Sequence, residues 1–342
     1  TNQVYVNGVM SIVDIDVANL RNFLNGDFDG KFPTNTPFAA SNGNIGLKST
    51  DIPQNRGWVI YFSDRRGDHN FDGRYNMEDV NPNYDSVVDE DLDGDGVIDK
   101  ADAANQEAPL QDLQGNAGYL AVTDHKFYRR GVRLINAVNI PGNYDSATPT
   151  NTKGFTLASE NGVYTWGNYN VSSVTVAGGT SATLSSSYFP QNTSMHIPAS
   201  IVGDAVTLLS NNWNDGKSFK YPYDLANRPA TNTQVRFAML SGDPITGYSP
   251  SAGLNGSQNG GLINFKRFLE TWTGDRLNYS GSLINLYNAF NSNARHKPNV
   301  TVYNPPTRDW TFEESFKDIN RLPPGTPFVY FLTFTGFERV NE

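Results

Sequence analysis

Cysteine is absent from this 342-residue chain. Thiolate metal sites, thiol catalysis and a disulfide framework are thereby excluded, although export is not. Histidine is nearly absent too: His69, His125, His196 and His296 form neither HExxH nor any close ligand pair. Motifs for a GxSxG elbow, a P-loop or a GxGxxG turn are also missing. No apolar run reaches the roughly 18 residues of a membrane span or has the form of a leader, and the chain starts at Thr1 without Met. The expectation is a mature or trimmed exported chain with no membrane span of its own. Charged residues make up only 18%, with a net charge of −9. Lys and Arg are too few to neutralise a phosphate backbone, so nucleic acid is excluded as a partner.

Asparagine is abundant instead, with 40 residues, alongside 31 Gly, 19 Pro and 12% aromatics. Such a composition favours turns, side-chain bonds to backbone and left-handed positions over long helices. The charge is unevenly placed: Asp64 to Asp112 contains 15 acidic residues against four basic ones, and the remainder is nearly neutral. We therefore divide the chain into residues 1–63, the start of a β-rich body; 64–115, an acidic insertion; and 116–342, the rest of the body.

Alternation and propensity predict strands at Met10–Asp16, Gly57–Phe62, Gly154–Ser159, Val163–Trp166, Val174–Val176, Val235–Leu240, Leu277–Tyr287 and Pro327–Phe334. The Gly/Asn-punctuated strands after residue 154 suggest a sheet or a short solenoid-like stack. Helices are predicted at Val17–Leu24, capped by Asp16, from Thr123 or Asp124 to Asn136, and at Leu262–Trp272. Pro198–Ser210 reads as a helix, or as a buried strand over Ala205–Leu209. The expected class is α+β and β-rich, with mostly short antiparallel strands.

The acidic segment holds the sharpest motif. Asp91 to Asp102 (DLDGDGVIDKAD) places Asp91, Asp93, Asp95, Asp99 and Asp102 at positions 1, 3, 5, 9 and 12 of an EF-hand-type loop. Gly96 occupies the sharp turn, and Val97 offers its carbonyl at position 7. A hard cation needs six to eight oxygens, and this register supplies them, so one Ca²⁺ is expected. Asp68 to Asp79 repeats the register with Asp68, Asn70, Asp72, the Tyr75 carbonyl and Asp79, though Met77 stands at position 9, and a second Ca²⁺ is possible there. The ion would be structural, relieving repulsion among the carboxylates.

Catalytic readings are weaker. Glu313 and Glu314, with Asp309 upstream, are adjacent and point to different faces, so they read as a negative first turn rather than a glycosidase pair. Asp204, and Asp215 near Trp213, read as caps or turns. Tyr164, Trp166 and Tyr169 in one expected hairpin, with Tyr221 and Tyr223, could stack on sugar if exposed.

Several segments resemble large bacterial type IV pilus assembly proteins of the PilX-like group: YFSDRRGDHNFDGRYNMEDVNP (61–82), FYRRGVRLINA (127–137), GFTLASENGVYTWGNYN (154–170), IPASIVGDAVTLLSNNWND (197–215), GGLINFKRFLETW (260–272), LNYSGSLINLY (277–287), and PPTRDWTFEESF with RLPPGTP in 305–327. Unlike that group, this chain has no hydrophobic prepilin helix. The resemblance implies a bacterial cell-surface or pilus setting and no known activity. The expected function is a non-enzymatic, calcium-stabilised extracellular structural protein, pilus- or filament-associated or an adhesin, partnered by itself or other surface subunits. The alternative is a secreted carbohydrate-binding protein or glycoside-active enzyme.

Overall fold

A computed structural model describes residues 10–25, 56–65, 129–145, 147–171, 197–221, 224–242, 265–287, 289, 301–327 and 336. Thirteen strands among them form three sheets, and every ladder pair is parallel. The expectation of mostly antiparallel strands is overturned.

Face 1 orders β1 (Met10–Asp16), β3 (Arg129–Ile135), β5 (Gly162–Trp166), β7 (Val206–Leu209) and β10 (Lys266–Arg267). Face 2 orders β2 (Gly57–Phe62), β4 (Gly154–Ser159), β6 (Ala199–Gly203), β9 (Ala238–Ser241) and β12 (Leu283–Ile284). Face 3 orders β8 (Thr233–Arg236), β11 (Arg276–Gly281) and β13 (Thr307–Phe312), extended backwards by a parallel bridge from Val235 to Tyr169. Each sheet lists its strands in chain order, and the chain visits face 2, face 1 and face 3 in turn from β4 to β12. The fold is a three-sided parallel solenoid, in which the two other faces supply the crossover that parallel pairing demands.

Pleating sends alternate residues inward, and the parallel register stacks them into columns. One column runs Val13, Val132, Val163, Val206 and Lys266 on face 1. Another runs Ile60, Leu157, Ile201, Met239 and Leu283 on face 2. Face 3 contributes Tyr169, Val235, Tyr279 and Trp310. Most of these side chains join one buried cluster, with Phe155, Phe237, Phe268 and Trp272 filling the centre. Tyr169 and Phe237 meet edge to face at 5.1 Å.

Asparagine bonds the corners. Asn168, Asn211 and Asn232 form a ladder between faces 1 and 3: Asn211 Nδ2 donates to Asn168 Oδ1 and to the Asn232 carbonyl, both at 3.0 Å. Between faces 3 and 2, Asn170 Nδ2 donates to the carbonyls of Ile197 at 2.9 Å and Arg236 at 3.0 Å. Asn136 and Asn170 take left-handed conformations, φ 55° and 57°, where asparagine is tolerated better than most residues.

Helix α1 (Val17–Asn25) follows β1 and is capped as expected, the Asp16 carboxylate accepting from Asn19 N–H at 2.9 Å. The other helical expectations fail. Residues 129–135 are β3; Ala199–Gly203 and Val206–Leu209 are β6 and β7, the second matching the strand alternative over Ala205–Leu209; and Lys266–Arg267 in the 262–272 segment is β10. A short helix α2 (Asp215–Lys220) was not foreseen. The strands expected at Val174–Val176 and across most of Pro327–Phe334 lie outside the described residues.

Past β13 the chain runs back along the corner of faces 3 and 2 as a strap. Glu313 sits level with Arg236 and Ser280, the Pro324 carbonyl accepts from Thr156 Oγ1 of β4 at 2.6 Å, and Gly325 lies beside Val59 of β2. A single segment thereby ties together successive turns of the solenoid.

Candidate functional site

The acidic excursion springs from the corner between faces 2 and 1. At this corner β4 reaches β5 through Glu160 and Asn161 alone, and β6 reaches β7 through Asp204 and Ala205. Between β2 and β3, the same corner carries residues 63–128.

The root of the excursion is fixed by the next turn. Asn161, fully buried, accepts from Asp64 N–H through Oδ1 at 2.8 Å and donates Nδ2 to the Asp64 carbonyl at 3.0 Å. In the other direction the Asn161 carbonyl accepts from Asp204 N–H at 3.3 Å. One asparagine therefore bridges three turns, and Asp204 has the turn role expected of it. Arg65 clasps Glu160 with Nε at 2.6 Å and Nη2 at 2.8 Å, and Ser63 Oγ donates to the same carboxylate. These bonds, Arg65 foremost, hold Glu160 below the usual carboxylate range against the opposing effect of burial.

The expected calcium ligands Asp68, Asn70, Asp72, Tyr75, Asp79, Asp91, Asp93, Asp95, Val97, Asp99 and Asp102 all lie outside the described residues, as do Asp112 and the end of the segment. Among the described residues no three His, Asp or Glu side chains converge to hold a metal ion.

On the outer surface of face 1, Arg133 donates to both oxygens of Asp14 at 2.7 and 2.9 Å and to both of Asp215 at 2.8 and 3.0 Å, with its guanidinium 4.6 Å from the Trp166 ring. Asp215 also accepts from Trp213 Nε1 at 2.7 Å. Burial alone would raise the Asp215 pKa, but the Arg133 and Trp213 bonds outweigh it and leave the carboxyl lowered. Glu313 is buried on Arg236, which donates Nε at 2.8 Å and Nη2 at 2.6 Å. Glu314 instead pairs with Lys317 on the surface, so the two carboxylates diverge as the sequence implied.

Glu270 is buried and accepts from Ser210 N–H at 2.7 Å and Ser210 Oγ at 2.6 Å. Burial raises its pKa in spite of those bonds. Lys266 faces the interior from the last described turn of face 1. Its Nζ has no hydrogen-bond partner and lies 3.5 Å from the Trp310 ring centre and 3.9 Å from that of Tyr279. Desolvation lowers its pKa to about 7, with Arg308 adding repulsion. Neither Glu270 nor Lys266 stands out in the sequence, where they lie four residues apart in a segment read as an amphipathic helix.

The aromatic trio is not a single exposed face. Tyr164 and Trp166 lie on β5, Trp166 is covered in part by Arg133, and Tyr169 is fully buried in the core. Tyr223 lies outside the described residues.

No protein-family model, no curated protein and no solved structure matches the chain. No helix among the described residues is long and apolar enough to cross a membrane.

Proposed function

We propose that this chain is a non-enzymatic structural protein of the bacterial cell surface, filament- or pilus-associated, in which a parallel solenoid acts as a stiff scaffold and displays an excursion braced by calcium. The observation that carries this reading is the mounting of the excursion. Asp64 and Arg65 are locked to Asn161 and Glu160 of the following turn, so a long acidic segment leaves a braced corner that the next two turns, β4 to β5 and β6 to β7, cross in two residues. The aspartate register within the excursion supplies oxygen ligands suited to calcium, one ion at 91–102 and room for a second at 68–79. Extracellular sites of this type bind at roughly 10⁻⁴ to 10⁻³ M, which matches free calcium outside a cell.

Burial of Tyr169 and the cover over Trp166 remove two of the five aromatics on which a sugar-binding reading rested. The described carboxylates Glu270 and Glu313 are both taken up by internal donors.

The deciding experiment is fractionation of native cells combined with metal analysis of purified protein equilibrated with millimolar calcium. Surface location with at least one chelator-removable calcium per chain is expected. A cytoplasmic protein, or one that holds no calcium, overturns the reading.

A further inference from the structure

Each turn of a solenoid packs only on the turns before and after it, so stability is close to a sum of neighbour terms and either end can open without the other. The strap after β13 breaks that pattern. At its base, Glu313 donates its N–H to the Gly281 carbonyl of β11 at 3.0 Å, and its carboxylate accepts from Ser280 Oγ at 2.9 Å and from Arg236 of β8. Midway, Ser315 and Phe316 border Ile197 and Pro198, which lead into β6. At its tip, the Pro324 carbonyl accepts from Thr156 Oγ1 of β4, and a Cβ placed on Gly325 would meet Val59 of β2 at 3.4 Å. Residues 313–325 alone therefore reach from β11 back to β2.

The tip comes down on a particular rung. Val59 and Thr156 are register partners, and from them β2 runs on to Ser63 and Asp64 while β4 runs on to Glu160 and Asn161, the two halves of the root of the acidic excursion. Two residues before Thr156, the chain has a glycine. A Cβ on Gly154 would lie 2.7 Å from Pro324 Cδ and 2.4 Å from the Pro198 carbonyl oxygen, so a side chain there would keep the tip from closing.

We propose that the strap is an end-to-end latch, which couples opening of the last turns to opening of the root that holds the acidic excursion. When the base lets go, the tip loses its tether, and the β2–β4 rung beneath it is left with neighbour contacts alone. The coupling is one free energy shared by both ends, so loosening the tip also loosens the base. A segment far away in the chain thereby sets how firmly the excursion is mounted. The inference goes beyond the surface-scaffold reading, and neither location nor calcium content enters its test.

Native-state hydrogen exchange of the whole chain, under conditions where local opening dominates, reads the latch in both directions. Ser280→Ala removes one bond at the base and should speed exchange of the Asp64 amide about fivefold, the loss expected for one hydrogen bond passed along the strap. Thr156→Val removes one bond at the tip and should speed exchange of the Glu313 amide by a similar factor. The Val163 amide, bonded to the Ala205 carbonyl at 2.8 Å on face 1, is the reference in both variants and should change little. It lies on the same turn as Thr156, so transmission through neighbouring turns alone would affect it before Glu313. Unchanged exchange at Asp64 and Glu313, or a rise no larger than at Val163, overturns the latch.

Discussion

Lys266 places its Nζ 3.5 Å from the ring centre of Trp310, inside a column whose four preceding members are valines. The amine has no hydrogen bond there, and its charged form is opposed by desolvation, which lowers the pKa from 10.5 to about 7. The two aromatic faces return part of that cost to the ammonium.

The sign of the resulting pH dependence is fixed. Between pH 7 and 10.5 the unfolded chain holds this proton and the folded chain does not, so stability rises with pH across that window. Below pH 7 both states are charged and the full penalty applies. Lys266→Met should therefore stabilise the protein by about 2–3 kcal/mol at pH 5 to 6, with the gain shrinking towards pH 10. Denaturant midpoints of both proteins across that range provide the check; parallel curves would contradict it.

Arg236 and Glu313 join the solenoid to its strap with side chains only 1% and 4% exposed. Deleting one partner leaves the other charge buried, so Arg236→Met and Glu313→Leu should each cost about 3–5 kcal/mol, and the double variant clearly less than the two single losses combined. Strictly additive losses would show that the pair is not coupled.

Asn161 satisfies both backbone groups of Asp64. Asn161→Ala should cost about 1–3 kcal/mol, because those buried groups lose their partners. The local signature is faster hydrogen exchange at the Asp64 amide, and unchanged exchange there would remove Asn161 from its anchoring role.

Asp91→Ala or Asp95→Ala should lower the melting temperature in calcium buffer and change little in chelator, where both proteins are empty. Chelation that leaves the wild-type melting temperature unaltered would mean that the acidic loop holds no structural ion.

Much of the local structure was legible from residue pattern. β1, β2 and β4 occupy the predicted residues, and α1 starts at its predicted cap. Errors arose where one pattern serves two geometries. Val132 and Leu134 alternate on β3, but Phe127, Arg130, Leu134 and Ala137 also fit a helical spacing, and pairing with β1 and β5 decided for the strand. The hairpin expected across Tyr164, Trp166 and Tyr169 is instead a corner, with Tyr164 and Trp166 on β5 of face 1 and Tyr169 bridged in parallel to Val235 of face 3.

The sequence by itself determined the abundance of asparagine, the uneven charge, the spacing of the aspartates in the acidic segment and the strands that alternate strictly, because each depends on residues close together in the chain. Tertiary structure alone decided that the strands are parallel, that Asn161 holds Asp64 from 97 positions away, and that Lys266 and Glu270 are buried. Alternation tells a strand which face is apolar, but not which strand lies beside it or in which direction. That choice belongs to the stacking of whole turns, where each side chain packs against residues one circuit earlier and later.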